Sequence, residues 1–473
     1  MSKGFAEGDF SSDDNYEGLD PAELDEYARA AALVHQELLT RFGEGNPQPR
    51  LEPTRRVVEL LGDVHRAYPI IHIAGTNGKT TTARLIESIL RAYGLRTGVF
   101  TSPHLVSFNE RILIDGVPVA DDVLVTNWLD VKPYVEMVDA ELLAKGEPRL
   151  TYFEVLTILA YGTFADSPVD VAVVEAGLGG EWDSTNVADG AVAVFTPIDL
   201  DHVDRLGRDI DAIARTKSGI IKPASMVVSA SQSSDAAAVL AEAAQLTESS
   251  LTVIGDDVKL LSSAVAVGGQ MISVQGVAGR YEELFLALYG DHQAQNAALA
   301  IAAVEAFLGG GTQELDADVL AEAFATVTSP GRLQLLATEP TVLVDAAHNP
   351  HGAASLVSAL GKYFALDAVT VVLAILDDKD SAGIVKALAP VVSNFIVTTA
   401  PSERALEAAT LGRLVEALAG NSTVTVEADP LVALTMARGL AAQTEKGAVI
   451  VTGSITLVGL AVAAAADTQG WTL

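Results

Sequence analysis

The densest chemistry in the chain lies in Ala74-Gly75-Thr76-Asn77-Gly78-Lys79-Thr80-Thr81, between the apolar run Ile70-Ile71-His72-Ile73 and a helical pattern over residues 80–93. Backbone N–H groups at a helix start, with the helix dipole behind them, bind phosphate. Gly75 and Gly78 permit close backbone approach around Thr76 and Asn77, Lys79 can reach the outer phosphates, and Thr80 or Thr81 can offer a hydroxyl to Mg²⁺. Ile73 stands where the general P-loop has its first glycine. The alternative, a plain Gly-rich turn with an exposed lysine, is disfavoured by the strand before and the helix after. The chemistry is therefore that of a nucleoside triphosphate.

Glu175 ends the apolar run of residues 169–174 and precedes Ala176-Gly177-Leu178-Gly179-Gly180. A carboxylate at the carboxyl end of a buried parallel strand faces the ligand crevice of such sheets, where it can hold the Mg²⁺ that bridges phosphates. Alone it would equally suit a solvated strand end; the neighbouring phosphate loop favours the metal. His202, in Asp199-Leu200-Asp201-His202, follows the next apolar run, and Ser102, in Thr101-Ser102-Pro103-His104, follows another. A lone histidine is more often a packing residue, and Ser-Pro is an ordinary turn signal. Lys217, within Thr216-Lys217-Ser218-Gly219-Ile220-Ile221-Lys222-Pro223, reads by itself as a surface charge. Asp345-Ala346-Ala347-His348-Asn349-Pro350 ends a further apolar strand; a capping turn explains Asp345 or Asn349 alone, but less readily all three polar residues.

The elements that must carry these groups alternate strand with helix. Strands are expected at residues 70–73, 97–100, 169–174, 191–196 and 226–230, and again at 342–344, 369–373, 395–398, 424–426 and 449–452. Alternation around residues 271–274 and 284–288 suggests antiparallel strands on the edge of the first domain, followed by helices at 291–308 and 316–327. The fold class is α/β with two domains: a P-loop-type, doubly wound, mostly parallel sheet over 25–328, and a smaller Rossmann-like unit over 335–473, joined by a linker at 329–334. Residues 1–24 read as an acidic disordered leader without the apolar core of a secretory signal. With 62 acidic and 30 basic residues the net charge of -32 disfavours nucleic acid and anionic membranes, and the lack of cysteine excludes thiolate chemistry. Residues 457–466, the most apolar stretch, fall short of the ~20 needed to cross a bilayer. A soluble cytoplasmic protein is expected.

In this order and spacing the motifs resemble the Mur ligase superfamily, and within it the folylpolyglutamate synthase/dihydrofolate synthase family, from about Leu51 onward. The resemblance also rests on Phe108-Asn109-Glu110-Arg111-Ile112, Phe153-Glu154, Asp183-Ser184-Thr185-Asn186, Pro330-Gly331-Arg332 and Asp378-Lys379-Asp380. It implies ATP-dependent ligation: a folate or dihydropteroate carboxylate is phosphorylated, then attacked by the amine of L-glutamate. It implies that Gly75 to Thr81, Asn296, Arg332 and Asp345 bind ATP, and that Ser102, Glu175, His202 and a carbamylated Lys217 position two Mg²⁺ ions, with room for a monovalent cation. Phe153, Trp182, Asp183, Ser184 and Arg111 match positions on the pterin side. Lys79, Lys217 and His348 match catalytic positions, with His348 near the transferred phosphate or the glutamate. A monomer is the family expectation.

The chain departs from the family pattern at Thr80-Thr81, where Gly-Ser is frequent, at Glu181, where Arg is common, and at Ala346. The phosphate loop begins at residue 75, leaving little room for the UDP-binding domain of cell-wall ligases. The competing readings are a Mur-type ligase for another carboxylate and a nucleotide-binding switch without ligase activity.

Overall fold

The computed structural model describes residues 21–43 and 48–467. Most of the expected leader, residues 1–20, lies outside the described residues. Its last four residues, 21–24, correct that expectation: they open the helix Pro21–Leu39, whose Ala31, Val34 and Leu38 are buried.

The first sheet is built from β1 (Ile70–Ala74), β2 (Thr97–Phe100), β3 (Ile112–Ile114), β4 (Val117–Pro118), β5 (Val171–Glu175), β6 (Val192–Phe195), β7 (Met226–Ser229) and β8 (Ser250–Val253). Their order is β4-β3-β2-β5-β1-β6-β7-β8. All pairings from β2 to β8 are parallel, and only the β3–β4 hairpin runs antiparallel on β2. The sheet is mostly parallel, as its sequence suggests. β3, β4 and β8 were not anticipated: β4 is two exposed residues and β8 is only half buried, so neither carries a continuous apolar run.

Every residue of β1 is buried, because helices cover both faces of the sheet. Ile71 and Ile73 share a core with the helices Lys79–Ala92, Asp291–Gly309 and Ala317–Thr326. Ile70, on the other face, joins the core of Pro21–Leu39, Asp121–Ala144 and Tyr152–Asp166. Burial of each isoleucine stabilises the fold by about 1.5–3 kcal/mol. An aspartate at position 73 would instead leave an unpaired charge in that core. His72 shares the face of Ile70; its Nε2 pairs with Thr185 Oγ1 at 2.9 Å, while its buried Nδ1 has no hydrogen-bond partner. Helix Lys79–Ala92 ends at Tyr93 and Gly94, and Gly94 takes φ +80°, a left-handed stop that glycine adopts without strain.

β9 (Lys259–Ala266), β10 (Gly269–Gln275) and β11 (Arg280–Leu286) are antiparallel, as the alternation suggests, and form a sheet of their own. Ile272, Val274, Leu284 and Leu286 turn one face of it into the core shared with Asp291–Gly309. The third sheet comprises β12 (Gln334–Thr338), β13 (Thr341–Asp345), β14 (Ala368–Leu373), β15 (Asn394–Val397), β16 (Thr423–Val426) and β17 (Gly447–Thr452). It runs β12-β13-β17-β14-β15-β16, parallel except for β12, with a core on each face. Among the described residues no helix is long and apolar enough to cross a membrane.

Candidate active site

β1 lies between β5 and β6, so the loops leaving the carboxyl ends of β1, β2, β5 and β6 gather on one side of the sheet. The loops after β13 and β14 face them, and together the two lobes enclose a cleft of about 1280 Å³.

The loop after β1 is tied down by backbone contacts that only glycine allows. Gly75 takes φ +149°, and a Cβ there would sit 1.9 Å from Thr196 Oγ1 and 2.9 Å from its carbonyl oxygen. At Gly78, φ +90°, a Cβ would approach Asn296 Oδ1 to 2.8 Å. The Thr76 N–H donates to the Pro197 carbonyl (2.9 Å) and its hydroxyl to that of Asp199 (3.0 Å). Lys79 Nζ curls back onto the carbonyls of Gly75 (3.2 Å) and Thr76 (3.4 Å). Lys217 Nζ donates to the same Gly75 carbonyl at 2.8 Å. Burial above all, then the charge of Lys79, pulls the Lys217 amine down to about 7.

Glu175 receives the Thr80 hydroxyl at 2.9 Å and the Ser102 N–H at 3.4 Å, with Lys79 Nζ 3.9 Å away. Burial pushes its carboxyl up, opposed by Lys79 and by the Thr80 hydrogen bond. The two threonines differ in their partners: the Thr80 hydroxyl meets Glu175, while the Thr81 hydroxyl pairs with Ser329 (2.8 Å).

Past β6, Asp201 accepts Lys379 from the other lobe at 2.8 Å, with His348 Nε2 at 3.6 Å and His202 Nε2 at 3.8 Å. Burial alone would raise the Asp201 carboxyl; His348, His202 and Lys379 outweigh it and hold it well below the usual range. His202 is lowered to about 4, by burial first and by the nearby cations against the pull of Asp201, so its ring is neutral at pH 7. Asp345 accepts the N–H groups of Leu333 (2.8 Å) and Ala347 (2.9 Å). Burial pushes its carboxyl up, while Arg332 and His292 draw it down. Asn296 donates to Gln293 at 2.9 Å, and Asn296, Arg332, Asp345 and His348 all line the cleft.

At the far end Phe153 stacks on Phe100 (5.7 Å) and Trp182 lines the wall. Asp183 and Ser184 shape that wall: Asp183 accepts the N–H groups of Leu178 and Thr185, and Ser184 Oγ pairs with Thr157 Oγ1 at 2.7 Å. Arg111 is not brought to the cleft. It is buried, with its Nε on His104 Nδ1 (2.7 Å) and its guanidinium 5.4 Å from the Tyr152 ring centre.

Sequence reasoning assigned no role to Lys379, Asp201, His351, Arg404 or Arg50, all of which line the cleft, and read Asn349 only as a possible helix cap, which it is. Asn349 Nδ2 donates to Asn77 Oδ1 at 3.0 Å, and Asn77 Nδ2 lies 3.1 Å from His351 Nδ1. The signals were present as Asp378-Lys379-Asp380 and Asp345 to Pro350; what a linear chain does not display is that their partners lie in the other lobe. Among the described residues no group of three or more His, Asp or Glu is placed to hold a metal.

Comparison with known proteins agrees with this geometry. Residues 73–304 match the Mur ligase middle domain, and residues 331–455 the glutamate ligase domain of Mur ligases. The dihydrofolate synthase/folylpolyglutamate synthase of Mycobacterium tuberculosis is 44% identical over 393 residues, covering 81% of this chain and 80% of that one. The folylpolyglutamate synthase of Lacticaseibacillus casei is 36% identical, covering 75% and 83%. The structure of the M. tuberculosis folylpolyglutamate synthase complexed with ADP and AMPPCP superimposes with a TM-score of 0.89 at 40% identity, covering 93% of this chain and 99% of that one. A phosphate loop, a cleft closed by two lobes and these relatives place the chain in the folylpolyglutamate synthase/dihydrofolate synthase family of Mur ligases, which are ATP-dependent ligases.

Proposed function

We propose that the chain joins the amine of L-glutamate to the carboxylate of a folate or dihydropteroate, using ATP and passing through an acyl phosphate. The observation that carries this reading is the meeting of Gly75–Lys79 with Asp201, Lys379, His348 and Arg332 in one cleft fed by both lobes. Of the two competing readings, the nucleotide switch requires only the first lobe, while a Mur-type ligase for another carboxylate differs in the acceptor it takes.

The carboxylate oxygen attacks the γ-phosphorus, the bond to ADP breaks, and the amine then displaces phosphate from the acyl carbon with loss of a proton. Charge spreads over phosphoryl oxygens in the first step, and Lys79 and Arg332 are the protein's fixed cations for it. Closure of the lobes around Arg332 would keep water from the acyl phosphate. Asp201 orients His348 and Lys379 towards the same space, which suits the glutamate end of the cleft. Phe153 and Trp182 offer flat apolar surface to a pterin ring.

The residues present fit Mg²⁺. Glu175 is a buried carboxylate whose neighbours only partly offset its desolvation; the Thr80 hydroxyl adds an oxygen ligand beside it, and the Ser102 N–H holds the carboxylate in place. A hard cation that keeps water and phosphate ligands needs no three-carboxylate cage. Bound there it would neutralise phosphate charge. A second ion fits the side of His202 and Lys217, whose buried amine, lowered to about 7, is neutral in part of the molecules at pH 7, the form that can accept CO₂. We assign residues 21–328 and 334–467 as two units hinged at 329–333, acting as a monomer.

The test is ADP release measured with L-glutamate together with dihydropteroate or tetrahydrofolate, each pterin alone, and a peptide acceptor. The reading expects release only when glutamate and a pterin are both present, and loss of turnover in Lys79→Ala. Release that needs neither substrate would favour the switch; release with the peptide acceptor alone would favour a different Mur-type ligase.

A further inference from the structure

The helix Pro350–Tyr363 of the second lobe is fastened to the first lobe at both ends. At its start, Asn349 caps the helix through Gly352 N–H (2.8 Å) and at the same time donates to Asn77 of the phosphate loop (3.0 Å). Its other end lies 14 residues on, about 20 Å away at 1.5 Å per residue. There Lys362 Nζ meets Asp291 Oδ1 at 2.5 Å, and the Tyr363 hydroxyl lies 2.9 Å from both Asp291 Oδ1 and Gln270 Oε1. Tyr289 packs edge-on against Tyr363 (6.1 Å) and at a tilt against Phe364 (5.0 Å).

Gln270 links this far end back to the site. Its buried amide donates to the carbonyls of Leu288 and Gly290, both at 2.9 Å, and so holds the segment that opens helix Asp291–Gly309. That helix carries His292, Gln293 and Asn296 into the cleft, whereas Gln270, Asp291, Lys362 and Tyr363 do not line it. A rigid helix pinned at one end by neutral amides and at the other by an ion pair cannot tilt away from the phosphate loop unless the distal contact also opens.

We propose that Asp291, Gln270, Lys362 and Tyr363 form a closure clasp: positioning residues, outside the cleft, that hold helix Pro350–Tyr363 across the nucleotide site and so limit water entry while the acyl phosphate exists. The proposal rests on the ligase reading above for its consequence, and on geometry for the clasp itself. Lys362 and Asp291 are partly exposed, so the pair is screened and each loss has a moderate effect.

The test compares wild type, Lys362→Glu, Asp291→Lys and the double charge swap in the full chain. Two readouts are taken: ATP consumed per amide bond formed, and energy transfer between dyes on the two lobes with ATP bound. The chain has no cysteine, so Asp235→Cys and Glu416→Cys, at exposed positions, provide the labelling sites. Each single variant should raise the ATP-to-product ratio on the order of threefold and lower the transfer, and the swap should return both towards wild type. Unchanged ratios and transfer in the single variants, or a swap as uncoupled as its parents, would overturn the clasp. A wild-type chain without glutamate-dependent turnover defeats the ligase reading instead, and the dye distance then decides the clasp alone.

Discussion

Lys379→Met keeps the length of the side chain and removes its charge, leaving Asp201 with only the two histidines near it. The ion pair is 2.8 Å long, and the side chains are 8% and 12% exposed. At an effective dielectric of about 20 the gross attraction at that distance is about 6 kcal/mol. Part of this only offsets desolvation, and breaking a buried pair from one side costs about 3–5 kcal/mol. Because the partners sit in different lobes, much of that cost falls on the closed arrangement. A shift of about 3 kcal/mol lowers the closed population, and with it kcat/KM, by about a hundredfold. The assay is glutamate- and pterin-dependent ADP release across a double-mutant cycle of Lys379→Met, Asp201→Asn and both. The double variant should lose less than the two single losses combined, because it leaves no orphan charge. Losses that multiply without coupling, or a Lys379→Met enzyme within about threefold of wild type, would refute the argument.

His72 is fully buried and its ring is lowered to about 3, chiefly by desolvation with a contribution from Lys222, whereas in the unfolded chain it titrates near 6.5. The unfolded state therefore binds the extra proton first: stability is intact above pH 6.5, falls as the pH drops below it, and stops falling near pH 3. Between pH 7 and pH 5 the loss is about 2 kcal/mol, read by denaturant unfolding, and His72→Gln should flatten that part of the profile. Gly75→Ala puts a methyl 1.9 Å from Thr196 Oγ1 and forces the phosphate loop to shift. Nucleotide affinity by calorimetry should fall at least about tenfold, and Thr196→Ala should restore only part of it, since the Thr196 carbonyl would still be 2.9 Å away.

What was legible in the sequence was mostly local. The strand, loop and helix over residues 70–92 are adjacent, so period and glycine placement suffice to identify them. Glu175 and Asp345 were legible as carboxylates at strand ends, because a parallel sheet sends such ends to one side. The three strands were legible as antiparallel from their alternation, but a half-exposed pattern does not say which sheet a strand joins, so their separate sheet was not. Asp201, Lys379, Asn349 and His351 owe their positions to pairing between lobes, which no spacing along the chain encodes. Arg111 has the residue type of an anion ligand, yet it turns inward to His104 and Tyr152, a choice set by packing rather than by motif.

The walls of the cleft carry eight Lys or Arg residues against seven Asp or Glu, on a chain whose overall balance is -32. A polyanion approaching from bulk solution is first pushed away, and only within a Debye length of the opening, about 10 Å at 0.1 M salt, does it feel the lysines. Dissolved ions thus act in opposite senses at two ranges. They soften the outer repulsion that slows encounter, while the inner attraction, shielded by protein on most sides, is dulled much less.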